Sequence, residues 1–306
     1  MTSSDVMRIV AIGECMAELT PAGRPDTFRQ GFAGDTFNTA WYLARCRRDL
    51  DVAYVTAIGD DEMSRALRQF ARDSGLSDWW VRVVPGGTLG LYLVSLRDGE
   101  RSFSYWRGQS AARQLAQDPD ELRAALRDAG LIYFSGITLA ILPQEGRETL
   151  LAQVSEARSA GARVAFDPNL RPRLWDSSQA MTETVMQAAR ICDVALPSFE
   201  DEAYWFGDAT PEATRARYAE AGAGQVVVKN GAGDLVWQDG ARRGMSRVAP
   251  VARPVDTTAA GDSLNAGVLA DLVHGASLEE AIARGCRLAR HVVQNRGALV
   301  PLPPEV

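Results

Sequence analysis

The strongest candidate for chemistry is a run of small residues from Asp256 to Gly267, which leads directly into a helical pattern. The first N–H groups of a helix have no partner within the helix and, together with the helix dipole, they bind anions. Small side chains in such a turn let a phosphate approach the backbone closely. Asp262 falls in the first turn, where its carboxylate repels an anion but is well placed to take a proton from a hydroxyl group that attacks a phosphoryl group. The alternative is an ordinary helix start, because Asp is a favoured residue there.

The length and composition narrow the classes of protein that remain. The chain has 306 residues, 46% of them hydrophobic and 24% charged, the balance of a globular protein with a large core. The formal net charge of -6 argues against nucleic acid or an anionic membrane as the main partner. No run approaches the roughly 18 apolar residues of a membrane span, and no signal-peptide pattern is present, so a cytoplasmic protein is predicted.

Cysteines and histidines argue against two common kinds of active site. The four cysteines are far apart, without a C-x-x-C pair, and the two histidines, His274 and His291, fall in one late helical stretch. A zinc site or a Ser-His-Asp hydrolase needs more ligands or a better-placed base. The thiols are therefore predicted to be ordinary residues of a reducing compartment.

The elements that must position these residues follow an α/β pattern. The predicted strands are Arg8–Gly13, Ala53–Ile58, Leu131–Ser135, Arg163–Asp167, Val194–Leu196 and Gln225–Lys229. Amphipathic helices are predicted between them at 35–47, 62–74, 120–128, 144–159, 179–189 and 211–221. Buried strands that alternate with helices are typical of a parallel sheet covered on both faces.

Two segments depart from this alternation. Glu18–Gly31 and Thr88–Arg107 alternate polar and apolar residues without a helix to cover them, and the second has a predicted turn at 97–100. We expect a small β-sheet that projects from the main domain and serves as a lid.

The run from Asp256 to Asp262 resembles the C-terminal signature of the PfkB/ribokinase family of sugar kinases, usually D-T-x-G-A-G-D. The segment from Gly31 to Ala40 resembles the glycine motif with which this family binds sugar. Further stretches are similar to the 2-keto-3-deoxygluconate kinases within it, including the T-A-A-G-D variant, in which Ala259 replaces the usual Gly. These stretches are Gly13-Glu14-Cys15-Met16, Tyr105-Trp106-Arg107, 135–142 and 169–175. The resemblance runs from Met7 to about Pro301.

The resemblance implies a fold and an activity. The fold is a ribokinase-like three-layer α/β sandwich with a mostly parallel central sheet, in a single domain over residues 1–306 with a β lid formed by about 16–33 and 86–110. The activity is transfer of a phosphoryl group from ATP to the 6-hydroxyl of 2-keto-3-deoxygluconate, which gives 2-keto-3-deoxy-6-phosphogluconate. Two alternatives stay open: a kinase of this family for fructose, ribose or 2-keto-3-deoxygalactonate, or a non-catalytic sugar-acid sensor.

The resemblance also assigns roles to residues. Asp262 would be the catalytic base, and the backbone of Ala259, Ala260 and Gly261 would form the anion hole. The residues implied in sugar binding are Gly34, Asp35, Asn38, Tyr92, Tyr105, Arg107 and Arg171. A sugar acid brings a carboxylate that Arg binds through paired N–H donors, so Arg107 and Arg171 fit such a substrate. Arg171 could instead contact nucleotide phosphates, and either could be a surface charge.

The nucleotide side has weaker signals. The turn from Lys229 to Asp234 contains glycines that would let backbone approach a nucleotide, although a hairpin turn explains it equally well. Asp167-Pro168-Asn169 ends another strand, the usual location of ligands in open α/β sheets. No P-loop motif and no G-x-G-x-x-G after the first strand is present, which counts against a P-loop kinase and a dinucleotide dehydrogenase. With the resemblance, the residues expected to bind ATP are Asn169, Ser198, Lys229, Gly231, Gly233 and Gly261.

The metal residues are where the chain departs from many relatives. These carry Asn-x-x-Glu to organise Mg²⁺, whereas this chain has Ser198-Phe199-Glu200-Asp201. Asp201 could act through a water molecule, and no metal ligand is firmly assigned. ATP and Mg²⁺ are the expected cofactors, with a monovalent cation left open. Because an exposed lid sheet has free edges, a homo-oligomer is expected, a dimer through the lid or larger.

Overall fold

The computed structural model of the chain describes residues 6–24, 26–97 and 100–303. Its strands are β1 (Arg8–Ile12), β2 (Met16–Pro21), β3 (Phe28–Ala33), β4 (Asp51–Ile58), β5 (Val81–Val83), β6 (Leu91–Arg97), β7 (Glu100–Trp106), β8 (Leu131–Ser135), β9 (Arg163–Asp167), β10 (Val194–Ala195), β11 (Gln225–Val228), β12 (Leu235–Asp239) and β13 (Arg242–Ser246).

Helices separate most of the strands. They are α1 (Asp35–Cys46), α2 (Glu62–Asp73), α3 (Pro119–Leu126), α4 (Gly136–Ile141), α5 (Gln144–Ser159), α6 (Ser178–Arg190), α7 (Phe199–Phe206), α8 (Pro211–Ala221), α9 (Ala260–Leu272) and α10 (Leu278–Val293). Within the described ranges, no helix is long and apolar enough to cross a membrane.

Nine strands form one large sheet in the order β13-β12-β11-β10-β9-β8-β1-β4-β5. The pairs from β5 across to β11 are parallel, and β12 and β13 add antiparallel strands at the far edge. The carboxyl ends of the parallel strands share one edge, where ligands bind in open sheets of this kind. The predicted mostly parallel sheet is confirmed.

Both faces of the sheet are buried, which explains the continuous apolar runs in its strands. Along β1, Ile9 and Ala11 belong to a core shared with α1, α9 and α10, whereas Val10 and Ile12 belong to a core shared with α3, α5 and α6. Successive side chains point to opposite faces of a strand, so each strand serves both cores. The three layers expected from the sequence are therefore present.

A second sheet of four strands has the order β3-β2-β6-β7. β2 pairs with β3 and β6 with β7 in antiparallel hairpins, and β2 and β6 join the hairpins in parallel. The turn predicted at 97–100 falls between β6 and β7, and its residues 98–99 lie outside the described part of the chain. This small sheet, called the lid below, is the one expected from the two alternating segments.

Candidate active site

Helix α9 begins at the carboxyl-terminal edge of the large sheet, with Ala259 as its N-cap residue. Ala259 has a φ of 60°, in the left-handed region that favours glycine, which accounts for the Gly usual at this position. The Ala260 N–H donates to the Thr257 carbonyl at 3.2 Å, whereas the helix geometry leaves the following amide, of Gly261, without a partner four residues back in the helix. Gly261 is therefore the best-placed amide of the predicted anion hole.

Asp262 lies in the first turn of α9 and is held by α1. Its carboxylate accepts a hydrogen bond from the Asn38 amide at 2.8 Å, and its backbone carbonyl accepts one from the Thr39 hydroxyl at 3.2 Å. Burial and the nearby Asp35 carboxylate raise the pKa of Asp262 to about 7, and the Asn38 hydrogen bond and Lys229 oppose this shift. A carboxyl group with such a pKa can accept a proton near neutral pH.

Two residues of the predicted sugar site belong to the same group as Asp262. Asp35 opens α1, and its carboxylate accepts a hydrogen bond from the Asn169 amide at 2.8 Å, which links it to the end of β9. Gly34 is the N-cap residue of α1, and a Cβ there would overlap the Glu14 carbonyl oxygen. Glycine is required at this position because of that close approach, and not because of its backbone angles, which are extended.

A buried polar cluster lies beneath the start of α9. The Lys229 ammonium donates to Asp167 at 2.7 Å and to Asn265 at 3.3 Å, and the Asn265 amide donates to Asp167 at 2.7 Å. The Lys229 Nζ atom lies 3.6 Å from the position that a Cβ on Gly261 would take. Lys229, predicted to bind ATP, is thus a buried residue next to the predicted anion hole.

The other predicted nucleotide residues lie along the same edge. Ser198 is the N-cap residue of α7 and pairs with Lys229 through a β-bridge. Gly231 has a φ of 56° in the turn after Lys229, and Gly233 closes that turn by donating its N–H to Asn230 at 2.8 Å. The hairpin interpretation of this turn also holds, because β11 and β12 are antiparallel neighbours.

Arg171 and Asp201 face each other across this edge. The Arg171 guanidinium donates to its neighbour's carbonyl, that of Leu170, at 2.6 Å and lies 3.5 Å from the Asp201 carboxylate. Burial raises the pKa of Asp201 above its usual value, and Arg171 opposes this shift. Within the described residues, no cluster of three or more His, Cys, Asp or Glu side chains could hold a metal ion.

Tyr92 and Tyr105 lie on β6 and β7 of the lid, and Arg107 directly follows β7. In the described part of the chain, none of the three forms a hydrogen bond with the Asp262 group. Tyr92 is buried and donates its hydroxyl to Glu18, whereas Tyr105, directly opposite on β7, is 53% exposed with its ring 5.8 Å from that of Tyr92. Arg107 forms an ion pair with Glu14.

Reasoning from the residues missed four side chains that hold the site together: Glu14, Thr39, Asp167 and Asn265. Three carried a usable signal, because Asp167 ends a predicted strand, Thr39 lies in the glycine motif and Asn265 follows Asp262 by three residues on the same helix face. Asp256 was also unassigned. Its carboxylate accepts hydrogen bonds from Thr258 and, at 2.7 Å, from the Gly297 N–H, and so fixes the loop before α9.

Known proteins resemble this chain over almost its whole length. The model for "pfkB family carbohydrate kinase" matches residues 7–305. The "2-dehydro-3-deoxygluconokinase" of Haemophilus influenzae is 38% identical over 96% of this chain and 95% of its own, and that of Escherichia coli K12 is 38% identical over 96% and 97%. The crystal structure of a PfkB protein from Polaromonas sp. JS666 has a TM-score of 0.83 and 28% identity, over 94% of this chain and 96% of its own. With the three-layer fold, the lid and the signature at Asp262 in place, the chain belongs to the pfkB family of carbohydrate kinases.

Proposed function

We propose that the protein transfers the γ-phosphoryl group of ATP to the 6-hydroxyl of 2-keto-3-deoxygluconate, the acid also called 2-dehydro-3-deoxygluconate. The observation that carries the proposal is the Asp262 carboxyl group, whose pKa is about 7 and which directly follows the Gly261 amide in the first turn of α9. The choice of acceptor is supported by the relatives at 38% identity, whose name is that of a kinase for this acid.

Each part of the site has a role in this reaction. Asp262 takes the proton of the attacking hydroxyl, and the amides at the start of α9 bind the migrating phosphoryl group. Gly34, Asp35 and Asn38 hold the sugar hydroxyls near Asp262, and Lys229 adds positive charge beside the phosphates. Tyr92, Tyr105 and Arg107 cover the acceptor from the lid, whose closure excludes water as a competing acceptor.

The described residues fit a magnesium ion that arrives with the nucleotide better than one held by protein alone. No cluster of three ligands is present among them, and Asp201 offers one carboxylate whose pKa is raised by burial. Mg²⁺ is commonly bound by one or two carboxylates together with substrate phosphates. When bound, it neutralises phosphate charge, and Asp201 is the residue we propose to hold it, through water.

The proposal also covers the domain organisation, the location and the oligomeric state of the protein. Residues 1–306 form one kinase domain in the cytoplasm, and two copies pair through their lids, where Phe28, Phe103 and Trp106 are exposed. The partners are the sugar acid and ATP, without nucleic acid or membrane. Activation by K⁺ at constant ionic strength would identify a monovalent-cation requirement.

One observation favours a second candidate, a kinase of this family for a neutral sugar. Arg107, one of the two arginines expected to bind the substrate carboxylate, already has a carboxylate partner in Glu14. A neutral acceptor such as fructose or ribose needs only hydroxyl partners, and the Asp262 group would serve it equally well.

The test is ADP release by the purified protein with ATP, Mg²⁺ and 2-keto-3-deoxygluconate, beside 2-keto-3-deoxygalactonate, gluconate, fructose and ribose. A signal with the keto-deoxy acids that Arg171→Leu weakens supports the proposal. A preference for fructose or ribose would replace it by the second candidate. Silence with every acceptor, in protein that binds ATP, would favour a sugar-acid sensor.

The pH dependence provides a prediction about Asp262. A base must be ionised to act, so kcat/KM should be low below its pKa, rise through about pH 7 and then level off. The measurement is kcat/KM for 2-keto-3-deoxygluconate from pH 5.5 to 9, with Mg²⁺ and ATP saturating. A rate that is flat down to pH 5.5 would show that a group with such a pKa does not act as the base.

A further inference from the structure

Glu14 and Arg107 form an ion pair at the base of the lid. Glu14 lies between β1 and β2, where the chain leaves the large sheet, and Arg107 directly follows β7, where it leaves the lid. The Arg107 Nη2 group donates to the Glu14 Oε2 atom. The pair therefore joins the first and last connections between the lid and the body of the protein.

The Glu14 side chain is buried and that of Arg107 is largely so, yet each leaves a polar atom that the other does not satisfy. The side chain of Glu14 is 1% exposed and that of Arg107 12%. Oε1 of Glu14 and Nε of Arg107 are buried, and neither has a hydrogen-bond partner within the described ranges. The Nη1 group of Arg107 likewise has no partner among the residues that the structure describes. Because an unpaired buried polar atom costs free energy, a pair with this many unused groups is built for more than stability.

The pair is packed against the predicted sugar site. The Glu14 carbonyl oxygen approaches Gly34 so closely that a Cβ there would overlap it. On the other side, a Cβ on Gly90 would lie 2.7 Å from Glu14 Oε1 and 3.2 Å from Arg107 Cβ. The absence of a side chain at Gly34 thus lets the Glu14 backbone approach α1, and the absence of one at Gly90 leaves room for the paired side chains beside the lid.

We propose that Glu14 is a positioning residue for acceptor recognition, because it fixes the Arg107 guanidinium at the base of the lid and leaves its remaining N–H groups for the substrate carboxylate. This inference rests on the proposed function, since it takes an acidic acceptor. A guanidinium has five N–H donors in a rigid plane, so one carboxylate can hold it while a second is bound. An arginine held in this way loses little side-chain entropy when the acceptor binds.

In this arrangement Arg107 binds two carboxylates, that of Glu14 and that of the acceptor. If Glu14 supplied only a negative charge near the acceptor, its removal would strengthen the binding of an anion. If Glu14 orients Arg107, its removal weakens binding even though the site becomes more positive. The sign of the change in KM therefore separates the two roles.

The experiment compares Glu14→Gln with the unsubstituted protein, using 2-keto-3-deoxygluconate and ATP at pH 8. We expect KM for the acid to rise about tenfold, a change of about 1.4 kcal/mol, with kcat and the KM for ATP nearly unchanged. Glu62→Gln, which removes a carboxylate paired with an arginine on the exposed surface of α2, is the matched control and should change neither constant. Quenching of the protein's tryptophan fluorescence by the acid without ATP gives a second measure of binding.

Each outcome has one meaning. A KM for the acid that is unchanged or lower in Glu14→Gln would overturn the inference. So would a fall in kcat together with a rise in the KM for ATP, because these changes indicate general damage to the fold. If Glu14→Gln does not fold, Glu14→Asp retains the charge but shortens its reach, and a KM equal to that of the unsubstituted protein would then contradict positioning. Failure of the unsubstituted protein to phosphorylate the acid refutes the proposed function instead.

Discussion

Replacing Asp262 by asparagine is expected to lower kcat about a thousandfold, within the range that a general base contributes. Asparagine has nearly the same shape as aspartate, and its side-chain oxygen can still accept the hydrogen bond that the Asn38 amide donates to the Asp262 carboxylate at 2.8 Å. It cannot accept the proton of the attacking hydroxyl. The measurement is kcat with both substrates saturating, together with their dissociation constants, which should change little.

The same substitution has an expected effect on stability that serves as its control. Burial and Asp35 raise the pKa of Asp262 in the folded protein, so the folded state binds this proton more tightly than the unfolded state does. The stability that the protonated group contributes is present below its unfolded pKa and is lost as pH rises through about 7. At pH 8 the ionised carboxylate is therefore unfavourable in the fold, and Asp262→Asn should be at least as stable to heat. A large fall in kcat with an unchanged Tm would assign the defect to the chemical step. Near-normal turnover would refute the role of Asp262 as base.

The sequence predicted most of the longer elements of this fold, because these follow from local periodicity. The bounds predicted for Leu131–Ser135, Arg163–Asp167 and Gln144–Ser159 agree with the structure. Short elements were missed where few residues carry the pattern, as at β5 with three residues and α4 with six. Such elements are held by their neighbours rather than by their own sequence.

The contacts within the site were harder to foresee than the elements. Asp262 was placed at a helix start by its neighbours in sequence, but its hydrogen bond to Asn38 spans 224 residues and the Arg107–Glu14 bond spans 93. Local patterns carry no information about which side chains meet across such separations. Arginine is the usual cation of this chain, so neither Arg107 nor its pairing with Glu14 can be singled out from composition.

Replacing Lys229 by methionine is expected to lower the free energy of unfolding by about 3 kcal/mol, the lower end of the range for breaking a buried ion pair. Lys229 and Asp167 are both buried, and their atoms lie 2.7 Å apart. Methionine fills a similar volume but leaves the Asp167 carboxylate with only the amides of Asn265 and Asn169 as partners. The measurement is the midpoint and slope of urea unfolding at pH 7.5.

The double variant Lys229→Met, Asp167→Asn distinguishes stability from function in this cluster. Removing both charges eliminates the unpaired buried carboxylate, so much of the lost stability should return. Activity should not return with it, because the ammonium beside Gly261 would still be missing.

The pH profile of the single variant Lys229→Met provides a second test. Lys229 lowers the pKa of Asp262, so without it the rise of kcat/KM should move to higher pH. A profile that stays in place would contradict an effect of Lys229 on the base, and a loss of stability below about 1 kcal/mol would show that its ion pair with Asp167 contributes little to the fold. A shifted profile with restored stability in the double variant would instead show that one buried cation serves both the fold beneath α9 and the base at its start.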